Sequence, residues 1–305
     1  MRVAIAGATG FIGNTLVKNN LSLGHEVNIL TRNSDLYFPD AKVFKFNEDL
    51  QNYSELELFF ENIDIFYNCL GEIVNESLMQ KVNVEYTKLF ISLSLKQNVK
   101  KWVQLSSVGA YGFINRGIID EETNENPINL YEKTKTEADR LVNESGLSYV
   151  ILRPSIVFGK KMKNQSIFKL IKAISYKSFF YIGKRGAVLN YVHVEDVVKA
   201  LILCGQSEKS NGKTYILSQN IYLEELVENI LKKIDKRRLF LRLPKSLVKF
   251  VAFLISFYKD APITFSRINA LTNFSKYDSN KIRNELNFNF NDSLISQLIS
   301  LIDEK

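Results

Sequence analysis

The chain has 305 residues, and 46% of them are hydrophobic, which excludes a mainly disordered protein because a full core can form. The formal net charge is +7, but the lysines are spread along the chain and rarely cluster with aromatic residues. We therefore expect no nucleic-acid partner and only an attraction for anionic ligands. Cys69 and Cys204 each lie in an apolar run, which predicts buried thiols in a reducing cytoplasm and no metal site. Met1 leads directly into an apolar run, so we expect no cleaved signal.

The first informative stretch is the glycine-rich turn in MRVAIAGATGFIG. A β-branched run predicts a strand before the glycines, and a helical pattern follows them. Gly7 permits a tight turn, Gly10 lets the backbone approach a pyrophosphate, and Gly13 lets the helix pack on the strand. The helix N-terminus then faces the anion. We predict a dinucleotide-binding turn with contacts from Gly7, Thr9, Gly10, Phe11, Ile12 and Gly13.

The second predicted strand covers residues 25–30, and the residues at its end bear on the choice between NAD and NADP. In NAD-selective sites this position usually carries an acid that binds the ribose 2′-hydroxyl. Here Thr31 stands at that point and Arg32 follows. Because a guanidinium suits a 2′-phosphate, we favour NADP over NAD.

Strand-like and helical runs alternate through the rest of the first half of the chain. Strands are predicted at 41–46, 63–70 and 100–105, and a helix at about 79–97. Such alternation predicts an α/β fold with a doubly wound parallel sheet of the Rossmann type.

Five motifs together resemble one known family. In the order and spacing of the extended short-chain dehydrogenase/reductases, the chain carries the glycine turn, SSVGAYG (106–112), Tyr131-x-x-x-Lys135, RPSIVFG (153–159) and NYVHVEDVVKAL (190–201). This group includes the NAD-dependent sugar-nucleotide epimerases and dehydratases. The resemblance covers most of the chain and is strongest over residues 1–200. It implies an enzyme that transfers hydride between NAD(P) and a hydroxyl or carbonyl carbon.

The pair Tyr131 and Lys135 carries the predicted chemistry. A helix places residues four apart on one face, and an adjacent ammonium lowers the pKa of a phenol from its usual value near ~10. Tyr131 could then exchange a proton with the substrate. The resemblance implies that Lys135 also binds the nicotinamide ribose and that Ser107 hydrogen-bonds the reacting oxygen, with Ser106 as the alternative.

The resemblance also implies further cofactor contacts. Residues after the third strand would lie near the adenine, and the backbone around the RPSIVFG motif would lie along the nicotinamide. The positions concerned are Asp49, Leu50, Leu70, Ser106, Pro154 and Ile156.

The substrate end departs from the family pattern. Sugar-nucleotide members commonly carry an arginine for the diphosphate where this chain has Leu189, and leucine cannot replace a guanidinium there. Arg185 or Arg267 could supply the charge, beside substrate contacts from Ser107 and Val108. Because Val108 and Gly109 stand where dehydratases often place an Asp-Glu pair, dehydration is not favoured.

Three classes of function therefore stay open. The first is an epimerase or reductase acting on a sugar nucleotide, and the second is a dehydrogenase or reductase of a lipid-like or sterol-like alcohol. The third is a non-catalytic NAD(P)-binding subunit, against which the complete Ser/Tyr/Lys set argues. Family analogy implies a homodimer built through the helix of the Tyr/Lys pair and the helix before it.

The C-terminal part of the chain predicts a second, smaller and mostly helical lobe. We expect a dinucleotide-binding domain of residues 1–160 plus about 190–220, and a substrate lobe of about 161–189 and 221–305. Within that lobe, residues 243–260 are apolar around most of a helix but too few to span a bilayer. This segment predicts a helix over the substrate cleft, and its lysines also permit a peripheral membrane contact.

Overall fold

The computed structural model describes residues 1–32, 38–46, 53–162, 165–176, 178–256 and 264–303. The strands within these ranges are β1 (Arg2–Ala6), β2 (Glu26–Thr31), β3 (Ala41–Lys45), β4 (Ile65–Asn68), β5 (Lys101–Leu105), β6 (Arg116–Ile119), β7 (Tyr149–Pro154), β8 (Ile156–Phe158), β9 (Tyr181–Ile182), β10 (Val188–His193), β11 (Lys213–Leu217), β12 (Gln219–Tyr222), β13 (Arg242–Leu243) and β14 (Phe274–Tyr277). The helices are α1 (Phe11–Ser22), α2 (Tyr53–Phe60), α3 (Glu76–Met79), α4 (Tyr86–Lys96), α5 (Leu130–Asn143), α6 (Ser166–Ser175), α7 (Val194–Gln206), α8 (Leu223–Lys233), α9 (Lys245–Ile255), α10 (Phe265–Ala270), α11 (Asn280–Leu286) and α12 (Leu294–Asp303).

The main sheet confirms the predicted parallel, doubly wound architecture. Within the described ranges it has seven strands in the order β11-β7-β5-β4-β1-β2-β3, and all its neighbours pair in parallel. The chain starts at β1, runs out to β3, and then crosses back to β4 on the other side of β1. This reversal opens a crevice at the carboxyl ends of β1 and β4, where open α/β sheets bind their ligands.

The central strands of this sheet are apolar because both of their faces are covered by helices. Val3 and Ile5 of β1 belong to an apolar cluster on one face, whereas Ala4 and Ala6 belong to a cluster on the other. Successive side chains of a strand point to opposite faces, so a central strand between two helical layers needs a continuous apolar run.

Among the cysteines, Cys204 is buried as predicted, but Cys69 is only partly buried.

A smaller sheet supports the C-terminal part. Strand β10 pairs with β8 in parallel and with β12 in antiparallel orientation, apart from the main sheet. One face of β10 packs through Leu189 and Tyr191 against an apolar cluster that α6, α8 and α12 share. The helical character expected of this part is confirmed, and the domain boundaries stay a prediction.

Helix α9 contacts the rest of the protein along a narrow face. Val248 and Ala252 are its buried residues, and they pack with Ile182 and Ile268. In the parts of the chain that the structure describes, no helix combines the length and the apolar character needed to cross a bilayer.

Candidate active site

The glycine turn has the close packing that a dinucleotide site requires. Gly7 has a positive φ of 83°, and a Cβ added there would stand 2.6 Å from the carbonyl oxygen of Cys69. A Cβ on Gly13 would stand 2.1 Å from the carbonyl oxygen of Gly7, so both positions exclude any larger residue. Gly10 is the N-cap of α1 and has no side chain to occupy the first-turn N–H groups. The turn therefore fits a pyrophosphate at the helix N-terminus, with Thr9 exposed and Phe11 and Ile12 partly buried beside it.

Helix α5 fixes the predicted catalytic pair. A capping box, in which the Asn129 and Glu132 side chains each bond the other's backbone N–H, sets the start of the helix just before Tyr131. One turn later Lys135 is 4% exposed. Its Nζ donates hydrogen bonds to the carbonyl oxygens of Leu105, at 2.7 Å, and Leu70, at 3.3 Å. The ammonium thus lies at the carboxyl ends of β4 and β5.

Tyr131 and Ser107 are brought together by the fold. The half-buried Tyr131 lies close enough to Ser107, which follows β5, for the two hydroxyls to interact. The Ser107 hydroxyl also accepts a hydrogen bond from the N–H of Gly109 at 3.0 Å, which fixes it as the cap of a short 3₁₀ turn. A hydroxyl held between a backbone donor and the phenol can orient an oxygen of a ligand.

The expected lowering of the phenol pKa is wrong for the protein alone. Burial raises the pKa of Tyr131 above its usual value, and the Ser107 hydrogen bond opposes this only in part. The Lys135 ammonium is turned to backbone carbonyls, and burial lowers the pKa of this lysine while Asp139 opposes that change. Tyr131 is consequently a neutral proton donor at neutral pH.

Ser106 has a different partner from Ser107. Its hydroxyl donates to Oδ2 of Asp139 at 2.6 Å, and Arg153 donates to the same oxygen from Nε at 3.1 Å and from Nη2 at 3.0 Å. Asp139 and Arg153 are 2% and 4% exposed, so this is a buried ion pair between α5 and β7. Ser106 is therefore the less suitable of the two serines for bonding a substrate.

Two further polar residues, Asp139 and Asn83, lie close to the predicted catalytic residues in the chain or in the structure and were not among the predicted site residues. Asp139 lies four residues after Lys135, and an acid at that spacing on a buried helix face was the available signal. Asn83 lies in a π-helical turn, Gln80–Glu85, that interrupts the single helix predicted at 79–97. Its side chain bonds the backbone N–H of Glu72 at 2.9 Å and donates to Thr134 at 2.9 Å. Such π-turns often occur at functional sites.

The remaining residues predicted to contact the cofactor differ in their exposure. Arg32 is exposed directly after β2. The backbone N–H groups of Asn75 and Val74, and more weakly the Arg32 charge, lower the pKa of the nearby Glu72. Of the other positions, Leu70 is half-buried, Pro154 is buried at the end of β7, Ile156 is 45% exposed, and Asp49 and Leu50 lie outside the described residues.

The residues predicted for the substrate lie in different surroundings. Val108 packs partly buried against Tyr111 and Ile119. Arg185 and Arg267 are exposed, and neither lines the cationic cavity described next. Leu189 is 5% exposed within the lobe core, so the position of the family arginine is filled by packing.

A cationic cavity of about 650 Å³ lies at the N-terminal end of α9. Its lining includes Arg116, Lys184, Arg242 and Lys245. Arg242 is paired with Glu224 at 2.7 Å, but within the described residues the other three form no ion pair. The cavity is therefore suited to an anionic group.

The fold and the site define a dinucleotide-binding α/β protein, and comparison with known proteins identifies its family. The model of the NAD dependent epimerase/dehydratase family matches residues 3–218, so the chain belongs to this family. Both the predicted resemblance and the prediction of an enzyme are thereby confirmed.

Two curated relatives and one solved structure illustrate the similarity. N-acetyl-alpha-D-glucosaminyl-diphospho-ditrans,octacis-undecaprenol 4-epimerase of Escherichia coli O157:H7 is 22% identical over 80% of this chain and 76% of its own. 3beta-hydroxysteroid-dehydrogenase/decarboxylase isoform 1 of Arabidopsis thaliana is 25% identical over 79% of this chain and 62% of its own. UDP-glucuronic acid 4-epimerase from Bacillus cereus, solved in complex with NAD, has a TM-score of 0.73 at 16% identity, covering 98% of this chain and 96% of its own. Hence epimerases and a dehydrogenase are both among the similar proteins.

Proposed function

We propose that the protein is an NADP-dependent epimerase or reductase that acts on a hydroxyl or carbonyl carbon of a sugar joined to a diphosphate. The observation that carries this proposal is the meeting of Ser107, Tyr131 and Lys135 at the carboxyl ends of the central strands. A homodimer and a cytoplasmic location, both expected from the sequence, are part of the same proposal.

The chain's own residues have separate tasks in this chemistry. The Gly7 and Gly13 cradle holds the pyrophosphate of the cofactor, whose nicotinamide supplies or accepts the hydride when bound. Ser107 orients the reacting oxygen, and Tyr131 donates its proton to that oxygen as negative charge develops. Lys135 adds positive charge beside them and holds the ends of β4 and β5.

Arg32 supports NADP as the cofactor because it directly follows β2, the strand whose end binds the adenosine ribose in this type of site, and a guanidinium suits a 2′-phosphate. We expect Arg32→Ala to weaken NADPH binding by roughly tenfold or more, as for loss of a charge-assisted hydrogen bond, with little effect on NADH. Calorimetric titration with both cofactors measures this difference, and Lys18→Ala, at an exposed position on α1, provides a control. Equal weakening of both cofactors would refute the assignment.

The cationic cavity supports a diphosphate in the substrate despite the loss of the family arginine at Leu189. Burial and the charge of Lys249 lower the pKa of Lys245. An anion bound beside this lysine would stabilise its charged form. Arg116 and Lys184 bring further positive charge to the same space. We infer that these three cations replace that arginine.

The experiment is a titration of the cofactor-loaded protein with UDP-, GDP- and dTDP-sugars. We expect one class to bind, and the double variant Arg116→Gln/Lys245→Gln to weaken its binding by roughly tenfold or more. The matched double variant Lys88→Gln/Lys133→Gln, on α4 and α5, should bind as the wild type does. Unchanged binding in the cavity variant would show that the diphosphate is held elsewhere.

A lipid-like or sterol-like alcohol is the second candidate substrate. The specific observation in its favour is the apolar face that α9 leaves exposed, where Phe250 and Leu254 are 60% and 53% exposed. In the same titration, cofactor binding without a response to any sugar nucleotide would favour this candidate.

A further inference from the structure

The positive charge of this protein is concentrated in one segment. Residues 232–256 contain eight lysines and arginines against one aspartate, a balance equal to the net +7 of the entire chain. Lysines occur throughout the sequence, but outside this segment the lysines and arginines equal the aspartates and glutamates in number. The rest of the chain therefore has no net charge. Lys236, Arg237 and Lys249 of this segment are exposed.

The same segment carries an exposed apolar helix face. Leu247, Phe250, Val251 and Leu254 of α9 are 48%, 60%, 39% and 53% exposed. Their spacing of three and four residues places them on one side of the helix. A helix on the surface of a globular protein normally presents polar residues to water, so this face indicates an interaction surface.

We propose that this face of α9, with the basic residues of the segment, docks the protein on a bilayer that contains anionic phospholipid. The apolar side chains would enter the boundary between headgroups and acyl chains, while the lysines and arginines contact the lipid phosphates. Charge decides between this partner and a second copy of the chain. Two copies meeting through the segment would bring like charges together, whereas an anionic bilayer neutralises them.

Docking would also place the cationic cavity at the membrane surface, since Arg242 and Lys245 belong to the basic segment and line the cavity. In this respect the inference rests on the proposed function: a sugar diphosphate linked to a lipid anchor would present its phosphates at that depth. The docking itself is independent of any reaction and can be measured without substrate.

The test is flotation of the whole protein with phosphatidylcholine vesicles that contain or lack phosphatidylglycerol. We expect binding to the anionic vesicles, at least tenfold weaker binding to the neutral ones, and release of the protein at high salt. The triple variant Leu247→Gln/Phe250→Gln/Leu254→Gln should lose at least tenfold in binding. A control triple variant, Ile73→Gln/Val74→Gln/Ile118→Gln, changes residues that are 61%, 82% and 72% exposed elsewhere and should float as the wild type does.

Three results would overturn docking: no binding to anionic vesicles, equal binding to both vesicle types, or unchanged binding of the α9 triple variant. A dimer in solution that the α9 substitutions disperse, without flotation of the wild type, would assign the face to a second copy instead. Unchanged NADP binding in the α9 variant checks that it is folded. Flotation without any sugar-diphosphate binding would contradict the proposed substrate and leave docking intact.

Discussion

Tyr131→Phe is expected to reduce turnover by at least about 100-fold, the usual contribution of a positioned general acid or base, while NADP binds nearly as before. Phenylalanine preserves the ring and removes only the hydroxyl that interacts with Ser107. Steady-state kinetics on the substrate found by titration, together with calorimetry of cofactor binding, measure the two effects separately.

A control for this substitution is Tyr176→Phe, which removes the hydroxyl of a tyrosine that is 71% exposed and should leave the rate unchanged. Because burial raises the pKa of Tyr131, the phenolate fraction is small at neutral pH, and alcohol oxidation by the wild type should accelerate as the pH rises. Tyr131→Phe should lose that dependence. Wild-type turnover in this variant would exclude Tyr131 as the proton donor.

Asp139→Ala is expected to lower the free energy of unfolding by about 3 kcal/mol, because Arg153 would lose its buried carboxylate partner and keep only the more exposed Glu125. Arg153, 4% exposed, would lose both of its hydrogen bonds to Asp139, and Ser106 would lose its acceptor. Urea unfolding, with the slope compared between variants, measures the change.

The matched comparison is Glu228→Ala, which breaks the exposed pair with Lys232 and should change stability by no more than about 0.5 kcal/mol. The double variant Asp139→Leu/Arg153→Met removes both charges, so it should recover part of the loss. If Asp139→Ala were as stable as the wild type, the buried pair would not contribute to the stability of this site.

Much of the fold could be predicted because its determinants are local. The apolar runs that became β1, β2 and β5 differ from the predicted strands by a residue or so at their ends, and the glycine turn lies where Gly7 and Gly13 indicated. The helix predicted at 79–97 begins three residues earlier, at Glu76, and contains a π-turn that the sequence did not reveal, since one inserted residue scarcely disturbs the helical period.

The candidate site was predictable only in part, because several of its contacts join residues far apart in the chain. Lys135 reaches the carbonyl oxygen of Leu70, which belongs to a residue 65 positions earlier in the chain. The Ser106–Asp139 bond joins residues 33 apart and decides which of two adjacent serines can act on a ligand. Periodicity and spacing carry no information about such pairs.

The sequence by itself determined the alternating strands and helices, the glycine turn, and the Ser/Tyr/Lys set with its family. The strands, the helices and the turn follow from backbone sterics and residue spacing over a few positions, whereas the Ser/Tyr/Lys set and the family follow from the resemblance of the motifs. Only the tertiary structure decided that Leu189 is core, that cations from β6, β13 and α9 surround one cavity, and that α9 leaves an apolar face exposed. Each of these depends on which surfaces pack together, because burial and the local dielectric exist only once distant segments meet.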